Sequence, residues 1–278
     1  MKRLFILFAL AALVSCSDID DRPIVVTKQL QEALQSKHPN ATNIRWEMNQ
    51  NYYVADFNDL VIYASLVECE AWFGKQGKWH MTEIDIPYSS LPEAVRAAFE
   101  ASEYADWRID DIDKVERDGM ETIYVIEVEQ RDNEVDLYYT EDGTLVKSNP
   151  DGKNDESYLP EAPEGGVDAY IATHYPNAKI LDYDRDDGLI EVDILDGQTV
   201  RELYFDRNEN WLRTKTDIAP NALPQAVMDA IAANGYQGWR IDEAEHILEA
   251  NREFFELELE SGERDIDLRI TPTGEIIK

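Results

Sequence analysis

The sequence predicts an α+β protein built of tandem units, each a helix followed by an antiparallel meander, with four units in two duplicated domains. Three observations predict it. Segments such as Phe255, Leu257 and Leu259 against Glu256, Glu258 and Glu260 alternate apolar and acidic with period two, the pattern of antiparallel sheet covered on one face. Four short stretches instead carry the three-to-four-residue apolar spacing of amphipathic helices. Finally, motifs in the first half of the chain return in order in the second, so the chain is a duplication.

The chain opens with Lys2 and Arg3, an apolar run from Leu4 to Leu13 and the sequence Leu13-Val14-Ser15-Cys16. Together these predict a signal peptide over residues 1–16, since the run is too short to span a bilayer as a mature helix. Leu-Val-Ser-Cys resembles the bacterial lipobox, in which the cysteine is acylated and becomes the mature N-terminus. Cys16 is therefore the expected lipidation site, and the membrane is reached through a lipid anchor. Ser17, Asp18, Asp20 and Asp21 form an acidic tether over residues 17–24 that resembles the surface-export signal of Bacteroidota lipoproteins. An outer membrane lipoprotein is expected, facing the periplasm or displayed on the cell surface.

Helices are expected near Thr27 to Lys37, Ser90 to Ser102, Val167 to His174 and Leu223 to Ala233. In the second, Val95, Ala98, Phe99 and Ser102 share one stripe, as do Val227, Ala230, Ile231 and Asn234 in the fourth. Ser90-Leu91-Pro92-Glu93 fits a capping box with proline in the first turn. Strand-like segments follow each helix, separated by turns such as Asp118-Gly119, Asp142-Gly143 and Asp196-Gly197.

The repeat is explicit. Leu91-Pro92-Glu93-Ala94-Val95 returns as Leu223-Pro224-Gln225-Ala226-Val227, Trp107-Arg108-Ile109-Asp110 as Trp239-Arg240-Ile241-Asp242, and Pro39-Asn40-Ala41 as Pro176-Asn177-Ala178. Phe73, Trp79, Thr82 and Gly143 match Phe205, Trp211, Thr214 and Gly274. Domains are expected at residues 25–149 and 167–278, joined by a linker over 150–166 that holds Pro160, Pro163 and Gly165-Gly166. Each domain is expected to pack its helices on the apolar sheet face and leave the charged reverse bare.

Without Lys2 and Arg3 the mature chain keeps all 58 acids against 24 bases, a formal charge of −34. Such a field excludes nucleic acid as a partner and opposes adsorption on anionic lipid, so the acyl chains must supply attachment. With 44% apolar residues the chain is a folded one. Cys69 is the one thiol left after Cys16, and in the alternating Leu66 to Trp72 it reads as a buried, inert side chain.

Tandem helix-plus-meander units, paired Leu-Pro-x-Ala-Val helix starts, Trp-Arg-Ile strand starts and the lipoprotein leader together resemble the PepSY-like family of Bacteroidota envelope proteins. The resemblance covers nearly all of residues 25–278, as two copies of a two-unit domain. It implies a fold similar to the beta-lactamase inhibitor protein and a binding or inhibitory module that presents its sheet surface to a partner, with no catalytic residues to carry across.

Enzyme signatures are missing: there is no Gly-x-Ser-x-Gly elbow, no His-Glu-x-x-His helix and no phosphate-cradling loop. His38, His80, His174 and His246 are scattered, with no second histidine at ligand spacing. Asp182, Asp184 and Asp186, followed by Asp187 and Gly188, are the metal candidates, with weakly bound calcium as the ion. An acidic hairpin turn is the simpler reading of that stretch, and no other cofactor is expected. Outward acids such as Glu258, Glu260, Asp265 and Asp267 would crowd if their strands are neighbours. Tyr52, Tyr53 and Trp72 have no aromatic counterpart in the other half and are the binding candidates. Trp79, Trp107, Trp211 and Trp239 recur and suit core positions. The function expected is a non-catalytic, lipid-anchored binding module for an unidentified protein. A cation-responsive or glycan-binding surface lipoprotein is the alternative, and an uncharacterised hydrolase is a third reading.

Overall fold

A computed structural model describes residues 24–49, 51–59, 66–131, 133–150, 165–186, 188–262 and 264–277. The leader, Cys16, the tether up to residue 23 and linker residues 151–164 lie outside the described residues. The first domain runs α1 (Lys28–Lys37), β1 (Thr42–Asn49), β2 (Tyr52–Asp59), β3 (Val67–Phe73), β4 (Trp79–Asp85), α2 (Glu93–Glu100), β5 (Arg108–Arg117), β6 (Ile123–Gln130), β7 (Asn133–Thr140) and β8 (Leu145–Pro150). The second runs α3 (Gly166–His174), β9 (Lys179–Asp186), β10 (Leu189–Asp196), β11 (Thr199–Asp206), β12 (Trp211–Asp217), α4 (Gln225–Ile231), β13 (Arg240–Glu249), β14 (Arg252–Ser261), β15 (Arg264–Ile270) and β16 (Ile276–Ile277).

Each domain is one antiparallel sheet of eight strands in sequence order. Pairing of β4 with β5, and of β12 with β13, fuses the two meanders of each half into a single sheet. The expected helix-plus-meander unit is therefore not a separate body. The fold is mostly β, with four α-helices of seven to ten residues among the described residues packed on it.

Leu30, Leu34, Val95 and Phe99 pack with Phe57, Ala71, Phe73, Ile126 and Leu137 on one face of the first sheet. Val167 and Ile171, then Val227 and Ile231, do the same on the second. The capping box at Ser90 does not form. Ser90 lies in a 3₁₀ turn, Tyr88–Ser90, and Pro92 takes the cap position with no side-chain bond. Proline holds the preceding Leu91 in extended backbone, so the box cannot close. Arg96 instead donates to the carbonyls of Leu91 and Ser89.

The duplicated motifs are structural ties. Trp79 Nε1 donates to Thr82 Oγ1 at 2.8 Å, and His38 at the end of α1 lies 3.1 Å from the same hydroxyl. In the second domain Trp211 Nε1 donates to Thr214 Oγ1 at 3.1 Å, with Tyr175 at the end of α3 3.4 Å away. Tyr104 meets Trp107, and Tyr236 meets Trp239, edge to face, with both tryptophans packed on a core as expected. Gly143, at φ +83°, rests on α2 so closely that a Cβ would stand 2.5 Å from the Ala94 carbonyl oxygen; Gly274, at φ +88°, repeats this 2.6 Å from that of Ala226. Gly143→Ala is therefore expected to cost about 2–4 kcal/mol, from left-handed backbone strain plus displacement of α2. A denaturation midpoint equal to wild type would show that the turn does not rest on the helix.

The reverse face of the first sheet is not bare. Val54, Trp72, Met81, Val115, Ile123, Val125 and Tyr138 form a second core there, closed by Leu181 and Leu195 of the second domain. Arg117, its side chain 1% exposed, crosses the junction to donate to the Leu181 carbonyl and, at 2.8 Å, to Asp182 Oδ1. The Glu121 amide donates to the Ile180 carbonyl at 2.9 Å, and Lys179 pairs with Glu121 at 2.8 Å. Ile123, Tyr124, Val125 and Ile126 are buried in succession, the mark of a strand covered on both faces.

Strand pairing aligns the two sheets position by position. The row Val54, Trp72, Met81, Arg117 becomes Glu191, Tyr204, Arg213, Glu249, and the pair Val125, Tyr138 becomes Glu256, Arg269. Arg213 lies 4.4 Å over the Tyr204 ring and Arg269 5.8 Å over that of Phe254.

Candidate functional site

The structure scatters the residues singled out from sequence. Trp72 is buried in the core between the domains, beside Tyr52 at 5.9 Å between ring centroids. Tyr53 packs half-buried on the helix-side core. Tyr53 turns to the helix side, and the second domain covers the side of the sheet where Tyr52 and Trp72 stand. Asp182, Asp184 and Asp186 lie along strand β9 rather than in a loop. Asp182 is committed to Arg117, and Asp184 accepts from the Arg185 amide at 2.7 Å. Asp187 is outside the described residues.

Beyond the covered patch, the reverse face of the first sheet opens into a hollow of about 600 Å³. Asp56 of β2, Glu68 and Glu70 of β3, Glu83 and Asp85 of β4, and Asp111 and Asp113 of β5 line it, with Arg45 as the sole base among the lining residues. Antiparallel register sets Asp56 opposite Glu70, Glu70 opposite Glu83, and Asp85 opposite Asp113. Like charges directly opposite one another destabilise a sheet.

Their protonation reports this crowding. Burial, then the charges of Glu83, Asp111, Asp85 and Glu127, hold the Asp113 carboxyl well above the usual carboxylate range. Glu70 keeps an open side to solvent, yet desolvation in the hollow and then Glu83 and Asp56 push it up to about 7. Burial, then Asp111 and Glu68, raise Asp85. Farther along the same face, burial and then Glu134 push Glu127 up to about 7. Glu127, Glu134 and Asp136 bring carboxylate oxygens within 4.8 Å of one another, as do Asp217, Glu243 and Glu245 in the second domain.

The second domain answers the same crowding differently. Glu202, Lys215, Asp217 and Glu245 occupy the register positions of Glu70, Glu83, Asp85 and Asp113. Lys215 Nζ lies 2.5 Å from Glu245 Oε1 and 3.6 Å from Glu202 Oε2. One base thus sits among three acids where the first domain has four, while at the near end of the same row Arg45 stands where the second domain has Asp182. On β14 and β15, the expected crowding places Glu258 opposite Asp267 and Glu260 opposite Asp265, relieved by Arg269 on Glu256 and Arg240 on Glu260.

The lining of the hollow is strongly acidic. Cys69, between Glu68 and Glu70, turns instead to the helix-side core, 4% exposed and pushed up to about 12 by burial and then by Asp59, so the thiol stays neutral and inert. His38 lies on the helix side, bound to Thr82 and pulled down by burial. The hollow escaped the sequence reading because its seven acids come from four strands. Their signal was an acid at alternate positions of β3, β4 and β5, which becomes a site only once pairing brings the strands together.

Among the described residues no helix is long and apolar enough to cross a membrane. The chain matches no curated protein. Solved structures resemble its halves. A BLIP-like protein from Bacteroides fragilis is 35% identical, with 52% of this chain and 100% of that one covered at a TM-score of 0.46. A DUF2874 family protein from Bacteroides ovatus is 27% identical over 50% of this chain and 96% of that one, at 0.44. A protein described as periplasmic, from Bacteroides eggerthii, is 25% identical over 49% and 99%, at 0.43. The PepSY-like, beta-lactamase-inhibitor-like family matches residues 51–147 and 188–278, one stretch in each domain. With more than half of its length matched, this chain belongs to that family.

Proposed function

We propose that this protein is a non-catalytic, lipid-anchored module of the bacterial envelope that binds a partner protein through the acidic hollow of its first sheet. The observation that carries the reading is the hollow itself: seven carboxylates from four strands, one base, and no activated nucleophile. The repulsion of Asp56 with Glu70 and of Glu70 with Glu83, set directly opposite one another, destabilises the sheet. Keeping it costs stability, and binding surfaces are where such a cost persists. The leader and Cys16 support attachment to a membrane, and family relatives described as periplasmic support the compartment.

The test is affinity purification of the full-length protein from crosslinked envelopes, run beside a Glu70→Gln, Glu83→Gln, Asp113→Asn triple variant. The wild type is expected to retain one protein in fixed proportion, and the triple variant to lose at least nine-tenths of it at unchanged expression. Equal recovery by both, or no stoichiometric protein with either, overturns the reading.

A further inference from the structure

We propose that the junction between the two domains is a proton-operated latch: a neutral Asp193 lets the second domain seat on the first sheet, and an ionised Asp193 works it loose. The latch works whatever the hollow binds.

Asp193 stands at the junction, where it shares a cavity of about 20 Å³ with Arg117, Tyr138 and Lys147 of the first domain and Asp182 of its own. Its Oδ1 is buried there without a hydrogen bond. Docking causes that burial, since Asp56, the matched acid of the first domain, borders the open hollow instead. A space of about 20 Å³ holds about one water, too little to hydrate an anion. A charge on Asp193 is therefore solvated only if the domains part.

The groups that face Asp193 are mostly acids. Asp182 on β9 and Glu202 on β11 are its partners in register, and Glu191 lies two positions back on its own strand. From the first domain, Lys147 stays exposed, its ammonium 5.7 Å from the centroid of the Tyr138 ring. Arg117 feels the charge of Asp193 too, but directs its donors to Asp182, at 2.8 Å, and to the Leu181 carbonyl. Burial, then the charges of Glu191, Asp182 and Glu202, accordingly push Asp193 up to about 8, against the pull of Lys147.

The docked form thus keeps a proton that the parted form releases near pH 4, roughly the ordinary carboxylate value. Between about pH 4 and about pH 8 docking weakens as pH rises, by at most about tenfold per pH unit, and above that range it weakens no further. Parting uncovers the apolar patch of Val54, Trp72, Met81 and Val125.

The test is hydrogen exchange, read by mass spectrometry on the full-length protein in detergent from about pH 5.5 to about pH 8.5. The reporter is the Glu121 amide, which donates to the Ile180 carbonyl across the junction at 2.9 Å, and the reference is the Ile126 amide inside β6. In the wild type, protection corrected for the intrinsic rate at each pH is expected to fall at least about tenfold more at Glu121 than at Ile126. In Asp193→Asn, which keeps the shape of the neutral carboxyl, the difference should stay below about threefold. Glu191→Gln removes a neighbouring acid and should shrink the wild-type fall, whereas Lys147→Gln removes a base and should enlarge it. An equal fall in Asp193→Asn, equal falls at the two amides of the wild type, or wild-type protection at Glu121 that does not change with pH would overturn the latch.

Discussion

The protein is expected to unfold at a higher temperature at about pH 5.5 than at about pH 8. Glu70 and Glu127 are held up to about 7 and Asp193 to about 8, first by burial and then by neighbouring acids, and Asp85 and Asp113 are raised as well. Unfolded, these groups release their protons near pH 4. Between there and about pH 8 the native state therefore holds protons that the unfolded state has lost, and stability falls as pH rises through the folded values. His38 acts in the opposite sense: buried and depressed, it favours the fold above its unfolded value and loses that contribution as pH falls through its folded one. Five raised carboxylates outweigh one histidine. Discounted for the solvent-open side of the hollow, the net gain at pH 5.5 is about 2–3 kcal/mol, roughly 5–10 °C in Tm. Scanning calorimetry at the two pH values decides it, and an equal or lower Tm in acid would show that the carboxylates are not crowded in solution.

Replacing Arg117 by methionine is expected to cost about 3–5 kcal/mol. The guanidinium is buried at the junction of the domains, satisfies the Leu181 carbonyl and pairs with Asp182. Opposite Asp182 stands Asp193, whose Oδ1 is buried without a hydrogen bond. With Arg117 gone, two facing acids and a buried carbonyl lose their cation together. Because Leu181 and Leu195 complete the interdomain core, the loss should also uncouple the domains, so that one thermal transition becomes two. Arg117→Lys keeps the charge but not the fork, and should fall between. A single transition with wild-type midpoint in the methionine variant would mean that the junction is held by apolar contact alone.

Much of the fold could be read from the sequence, because alternation and duplication are local or self-referring signals. The helices fall within two or three residues of where their apolar stripes place them, and Phe255, Leu257 and Leu259 face the core as the alternation requires. Gly143 with Ala94 shows why two motifs repeat together: they are opposite sides of one contact. The failures share a different cause. Trp72 is a binding candidate in the sequence for want of an aromatic counterpart, yet strand register matches it to Tyr204, and its own face changes character along its length, apolar at Trp72 and acidic at Glu68 and Glu70. The partner that buries it, Leu181, is more than a hundred positions away. At Asp182 to Gly188 the spacing admits a calcium loop beside the simpler acidic hairpin, and it cannot show that Asp182 pairs with Arg117. The hollow was hidden for the same reason, since a sheet's register is a property of pairs of strands.

The contact that joins the two domains also cannot be extended. Where the first sheet offers Val54, Met81, Val125 and Tyr138 to its neighbour, the second offers Glu191, Arg213, Glu256 and Arg269. A head-to-tail interface between like modules would otherwise generate an open filament, which closes only if something ends it. Here the second sheet does not repeat the apolar patch that the first presents, so it offers no like surface to a further module.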